Sequence, residues 1–194
     1  MVKYLRSFLN DSGITKKGKF TEFGEAIDHI GIENVLAWAL LVCNLAYTSE
    51  YNWWIKNTVV GQIYTPEAII SLLGDDMSKN SKAHIASAYK NIFISTPQVG
   101  KELGLGVCDY TVRKGRRYLN SITRNYWQNP DPRVILYSLY KFAEGCGGYY
   151  QFTLGRLLNH EIDSDGVSPT EIFGLDRDQM EKLLTGLSIN YPEF

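Results

Sequence analysis

Apolar residues recur along most of the chain at helical spacing. The densest stretch, Val35 to Cys43, is an unbroken run, with Asn44 the one polar interruption before Leu45, Ala46 and Tyr47. Ala and Leu favour helix, and a helix apolar on every side must be enclosed by others, so Glu33 to Tyr47 predicts a central core helix. The run stops well short of the ~20 apolar residues of a membrane span. Upstream, Val2 to Leu9 predicts a short amphipathic helix ended by Asn10 to Gly13, and Thr15-Lys-Lys-Gly-Lys19 a small basic turn. Thr21 suits the N-cap of a helix running to Ile30 and stopped by Gly31. Downstream, Ser49 to Val60 holds Tyr51, Trp53 and Trp54, rings expected to cover one side of the core helix.

Thr65-Pro66-Glu67 opens the next helix with a cap, a proline at the first helical position and an acid in the first turn, and Gly74 stops it. Ser78 caps a helix from Lys79 to Phe93, with Ile85, Tyr89, Ile92 and Phe93 as its buried stripe and Lys79, Lys82, Ala86 and Lys90 on the other side. From Gly104 the pattern changes. Val107 to Val112 and Arg117 to Trp127 are rich in β-branched and aromatic residues and flank Arg113-Lys114-Gly115-Arg116, which predicts a hairpin with a basic tip. Helices followed by a hairpin are the order of a winged helix.

Asn129-Pro130-Asp131-Pro132 cannot lie inside a helix and marks a boundary. Beyond it Asp131 caps a helix to Glu144, Phe152 to His160 predicts another, Ser168-Pro169 opens a third and Asp176 caps a fourth to Gly186. The expectation is a mainly α fold with a small β-hairpin, built as tandem winged-helix-like subdomains around the buried core helix. Residues 1–128 would form the first subdomain and 129–194 the second, the latter cut short at its C-terminus with a free strand edge near Phe194.

Composition narrows this picture only slightly. At 194 residues, 44% hydrophobic and 21% charged, the chain has the balance of a globular protein rather than a disordered one. Cys43, Cys108 and Cys146 are odd in number and widely spaced, which favours a reducing, cytoplasmic compartment over a disulfide framework. Net charge is −1 but unevenly spread: residues 1–130 carry 15 Lys and Arg against 11 Asp and Glu, and residues 131–194 carry 5 against 10. A polyanion should prefer the first part.

Pro130-Asp-Pro-Arg-Val-Ile-Leu-Tyr-Ser-Leu-Tyr-Lys-Phe-Ala-Glu144, Tyr149-Tyr-Gln-Phe-Thr-Leu-Gly-Arg-Leu-Leu158 and Gly166-Val-Ser-Pro-Thr-Glu-Ile-Phe-Gly-Leu-Asp-Arg177 resemble the C-terminal region of large bacterial proteins of the phosphoadenosine phosphosulfate (PAPS) reductase family. Gly18-Lys-Phe-Thr-Glu-Phe-Gly24 and the core helix look like the start of that region, and the chain also resembles a domain found beside DNA sulfur-modification systems. The likeness is to an accessory region. The reductase's Ser-Gly-Gly-Lys-Asp-Ser type phosphate loop does not occur here, so the resemblance implies no catalytic residue, and sulfonucleotide chemistry would belong to another part of the parent.

The basic tip, Arg113, Lys114, Arg116 and Arg117 with Arg124 further on, is the best functional signal, and Lys79, Lys82 and Lys90 would extend it. Two readings stay open: contact with a nucleic-acid backbone, or a solvated turn that keeps the hairpin from edge pairing. Gly104-Leu-Gly106 lacks a third glycine and reads as the approach to the hairpin. His160-Glu161 begins a zinc-protease pattern that fails at Ser164, and Asp163-Ser-Asp165-Gly166 resembles a calcium loop with its glycine too early. Asp75-Asp76 reads as a helix cap, Cys43 as an inert buried thiol, and the Trp53-Trp54 and Tyr149-Tyr150 doublets as core. No metal or cofactor is implied. The expected partners are nucleic acid and other domains or subunits of the parent, with no membrane. The expected function is a non-catalytic accessory region touching nucleic acid or a phosphate-rich partner, with a protein–protein scaffold as the alternative and an enzyme in its own right least supported.

Overall fold

The computed structural model describes residues 2–159 and 165–191. Helix takes up 57% and strand 12%, the strands forming two small antiparallel sheets, so the mainly α class holds. In chain order come α1 (Val2–Asp11), β1 (Thr15–Lys16), β2 (Lys19–Phe20), α2 (Glu22–Ile30), α3 (Val35–Leu45) and α4 (Ser49–Asn57). Then follow β3 (Ile63–Tyr64), α5 (Pro66–Leu72), α6 (Lys79–Ser95), a π-helical turn at Gln98–Glu102, β4 (Val107–Arg113) and β5 (Arg116–Thr123). The chain closes with α7 (Pro132–Gly145), α8 (Leu154–Leu158), α9 (Pro169–Phe173) and α10 (Arg177–Asn190).

Two compact units divide it: residues 1–56 together with 129–194, and residues 57–128. The expected junction at Asn129 to Pro132 is one of two crossings. Residues 1–56 fold with the C-terminal segment rather than with the hairpin, because the core helix finds its apolar partner downstream. α3 packs on α7, and also on α2 and α9. Asn34 caps α3, its side chain accepting from the Leu36 amide, and Ala37, Ala39, Leu41, Val42, Cys43 and Leu45 are buried along it. Leu41, Val42 and Leu45 each contribute roughly 1.5–3 kcal/mol on removal from water, and the alanines less. α7 answers with Val134, Ile135, Leu139, Phe142 and Ala143.

Asn44, the polar break in the apolar run, ties three segments of this unit together. Its Nδ2 donates to the Ser12 carbonyl at 2.8 Å and its Oδ1 accepts from the Tyr137 hydroxyl at 2.7 Å. Tyr137 also stacks on Phe23 at 5.6 Å. A little further on, the Tyr47 hydroxyl accepts from the Val167 amide at 3.2 Å.

The helix starts follow local side-chain chemistry. Thr21, Thr65, Ser78, Asp131, Thr153, Ser168 and Asp176 each accept a backbone N–H of the first turn, and Ser168 and Asp176 form capping boxes with Glu171 and Gln179. Some ends differ from expectation. α8 is only Leu154–Leu158, and α10 passes through Gly186 to Asn190, a position where an added Cβ would meet open space. The Tyr149-Tyr150 doublet is exposed rather than core, whereas Trp54 is 1% exposed. His160, Glu161, Asp163 and Ser164 of the two metal-like motifs, and Phe194 with its expected strand edge, lie outside the described residues.

In the 57–128 unit, α5 and α6 pack together and the sheet runs in the order β3-β5-β4. Ile63 pairs with Thr123 and Tyr64 with Ile122, so a two-residue strand ahead of the helices closes onto the far end of the hairpin. Gly100 and Gly106 let the chain approach α6: a Cβ on Gly106 would lie 2.1 Å from the Phe93 ring, and one on Gly100 2.4 Å from the Phe93 carbonyl oxygen.

Candidate functional site

β4 and β5 form a hairpin with Arg113 opposite Arg116, so its loop is only Lys114-Gly115. Lys114 has φ 50° and Gly115 φ 73°. Positive φ at both central residues is the signature of the type I′ turn, whose twist matches that of the flanking strands. The tip is therefore tighter than the sequence suggests, with Arg113 and Arg116 inside the ladder rather than in the loop.

Register sorts the cations. Directly opposed residues share a face, which puts Arg113 and Arg116 on one side, Arg117 with its partner Val112 on the other, and Lys114 at the apex. All four are exposed, and among the described residues none has a carboxylate partner. The Arg117 guanidinium carbon sits 5.2 Å from the Tyr110 ring centroid, a cation–π contact that orients it. Halfway down, the register jumps between Asp109 and Tyr110, leaving Asn120 as the extra residue of a bulge. Its Nδ2 donates to Asp109 Oδ2 at 2.9 Å and its side chain also bonds Thr111 Oγ1, which stiffens the hairpin below the tip.

Lys79 is exposed at the start of α6, and Lys90 lies on the wall of an open groove of about 390 Å³. Ile70, Ala83 and Ser87 line the same groove with Arg116 and Arg117.

Two expected members leave the site. Arg124 is 3% exposed, and its Nη1 donates to the Thr58 carbonyl at 2.5 Å and the Thr58 hydroxyl at 3.2 Å, so it clamps the Thr58 segment onto the end of β5. Lys82 is 8% exposed and pairs with Asp75 at 3.5 Å. Its aliphatic stem serves as core, and the buried stripe of α6 is Lys82, Ala86, Tyr89 and Phe93, rotated from the expected one.

Two of the three thiols, Cys43 and Cys108, are held in the protonated, weakly nucleophilic form. Burial pushes Cys43 up to about 12 and Cys108 up to about 11, in the second case against the pull of nearby Lys90. Among the described residues no group of three or more His, Cys, Asp or Glu is placed to hold a metal. Tyr110 and Tyr118, exposed on the hairpin, are candidate contacts that charge counting passes over; their position in an exposed strand is the signal that finds them. Sequence and structure comparisons add no relative: no protein-family model, curated protein or solved structure matches this chain.

Proposed function

We propose that residues 57–128 are a winged-helix-like module whose hairpin tip contacts the phosphate backbone of nucleic acid, within a non-catalytic accessory region of a PAPS reductase-like protein. The observation that carries the proposal is the tip itself: four exposed cations without carboxylate partners among the described residues, held on a two-residue turn. Arg113 and Arg116 are directly opposed like charges, and Lys114 occupies a left-handed conformation, both unfavourable in a folded chain. Costly local choices gathered in one place point to a function.

Three further features support the module. Helix pair, short leading strand and projecting hairpin, in sheet order β3-β5-β4, fit the way such modules back a helix with a small sheet. The unit holds nine Lys and Arg against five Asp and Glu, whereas residues 1–56 hold six of each, so the whole positive excess falls on the hairpin's own unit. Lys90, Arg116 and Arg117 line a groove open to a backbone. The link to the PAPS reductase family rests on the resemblance of the segments that form α7, α8 and α9. A parent of that kind would carry its phosphate loop in another domain.

The test is fluorescence anisotropy with a short labelled DNA duplex and with RNA. Reversing charge at Arg113, Lys114, Arg116 and Arg117 together is expected to abolish binding at low salt; unchanged binding by that variant rules the tip out.

A second reading, a scaffold docking other domains or subunits of the parent, is favoured by one observation in the other unit. An apolar groove of about 350 Å³ there is lined by Leu136, Leu139, Tyr140, Phe152, Leu184 and Tyr191. Tyr149, Tyr150 and Ile189 are also exposed in that unit. Absence of any nucleic-acid binding at low salt selects this reading.

A further inference from the structure

We infer that the first hairpin, β1–β2, is a second phosphate-contacting tip built like the wing; the inference rests on the nucleic-acid reading above. Among the described residues only two non-glycine residues have positive φ, Lys17 at 53° and Lys114 at 50°. Each is followed by a glycine in the same region, Gly18 at 78° and Gly115 at 73°. Each Lys-Gly pair is flanked by two directly opposed cations, Lys16 with Lys19 in one hairpin and Arg113 with Arg116 in the other. The motif is thus cation-Lys-Gly-cation in both, on the same turn.

Neither feature helps the fold. Asn or Asp is the usual first residue of a type I′ turn, and opposed like charges repel across an antiparallel pair. One such tip is a local oddity; two, one in each unit, share a ligand chemistry that rewards three or more clustered cations. That chemistry is a phosphodiester backbone. Both tips also set an aromatic side chain in solvent just past the turn, Phe20 at 64% and Tyr118 at 51% exposure, a surface on which an unpaired base stacks.

The first tip is firmly mounted. Thr15 Oγ1 donates to Asn10 Oδ1 at 2.8 Å, Thr21 Oγ1 donates to the Gly13 carbonyl at 2.6 Å, and the Thr21 amide donates to the Ile14 carbonyl at 3.0 Å. Lys16, Lys17 and Lys19 are exposed and, among the described residues, have no carboxylate partner. Of the acids nearest in sequence, Glu22 and Glu25 stand in the first turn of α2, where the positive end of the helix already offsets them, and Asp11 accepts from the Ser7 hydroxyl at 2.9 Å.

The experiment uses the full chain, a short labelled DNA duplex and the matching single strand, over a salt series. The variant Lys16→Gln/Lys17→Asn/Lys19→Gln is expected to flatten the slope of log affinity against log salt by about 0.9 for each phosphate released, up to about 2.7, and to weaken binding at least tenfold at moderate salt. Its melting temperature should not fall, since Asn suits the turn better than Lys, which separates lost contact from lost fold. If the wild type binds, the wing variant fails to bind and this variant keeps the wild-type slope, the β1–β2 tip is excluded and the wing stands. If this variant loses binding while the wing variant keeps it, the wing is excluded and the first tip stands alone. If the wild type binds neither probe, both go together.

Discussion

Lys114 is where stability and function pull apart at the scale of one residue. A left-handed lysine costs up to roughly 1–2 kcal/mol relative to a residue at ease there, and Asn is one of the few that are. Lys114→Asn is therefore expected to raise the unfolding free energy by a few tenths to about 1 kcal/mol in urea titration while weakening nucleic-acid binding. A substitution that lowers both would mean the lysine serves the fold. Arg124 makes the opposite case. With its guanidinium buried against Thr58, Arg124→Ala leaves the Thr58 carbonyl without its donor and should cost about 1.5–3 kcal/mol by denaturant unfolding. The salt slope of whatever binding survives should be unchanged, because no phosphate contact has been lost. In the sequence Arg124 and the tip cations look alike. Charge is legible there, but whether a long stem ends in solvent or in the core depends on neighbours 66 residues away. Lys82 misleads in the same way, its methylenes filling a core position that residue type alone assigns to solvent.

At the scale of elements, what is local was readable and what is paired at a distance was not. Thr21, Thr65, Ser78, Asp131, Ser168 and Asp176 announce their helices because a cap bonds within its own first turn. The hairpin follows from β-branched residues around Lys114-Gly115. β3 is invisible, since two residues carry no period and Ile63-Tyr64 becomes a strand only by meeting Ile122 and Thr123. The buried stripe of α6 departs from the expected one because the Lys82 stem occupies a core position. Docking of the hairpin against α6 depends on Gly106, whose missing Cβ admits the Phe93 ring. Gly106→Ala is expected to destabilise the protein by about 1–3 kcal/mol, measured by thermal or urea unfolding. Loss of hairpin order should accompany it, seen as accelerated amide exchange at Thr111 and Tyr118. Wild-type stability in that variant would mean the hairpin is held by the ladder alone.

For the whole molecule, the division of charge follows the division of structure. Residues 57–128 are positive and the remainder negative, a split that the sequence halves only approximated because the chain leaves the first unit and returns to it. That return is carried by α3 meeting α7 and by Asn44 linking Ser12 to Tyr137, contacts set by shape rather than by neighbouring sequence. The same unit holds neutral groups that resist ionisation. Burial raises Cys43 from 9.0 to about 12, and Tyr47 and Tyr137 from 10.0 to about 12. The folded chain then holds protons that the unfolded chain releases above about pH 9, so stability is complete below that and falls as pH rises towards 12. The urea midpoint should decline across this window, and Tyr137→Phe should flatten the decline while losing about 1 kcal/mol from the broken bond to Asn44. A midpoint constant to pH 12 would contradict the buried placement of these groups.

Whether the exposed cations of the Arg113 to Arg117 tip meet phosphates decides the function proposed for residues 57–128. The most direct measurement is the affinity of the wild-type chain for a short DNA duplex across a salt series. Four phosphates engaged by this tip predict a straight log–log plot with a slope of about −3.6, at about −0.9 for each contact, steepening towards about −6.3 when the three lysines of the β1–β2 tip engage as well. Binding that ignores salt, or no binding even at low ionic strength, contradicts it.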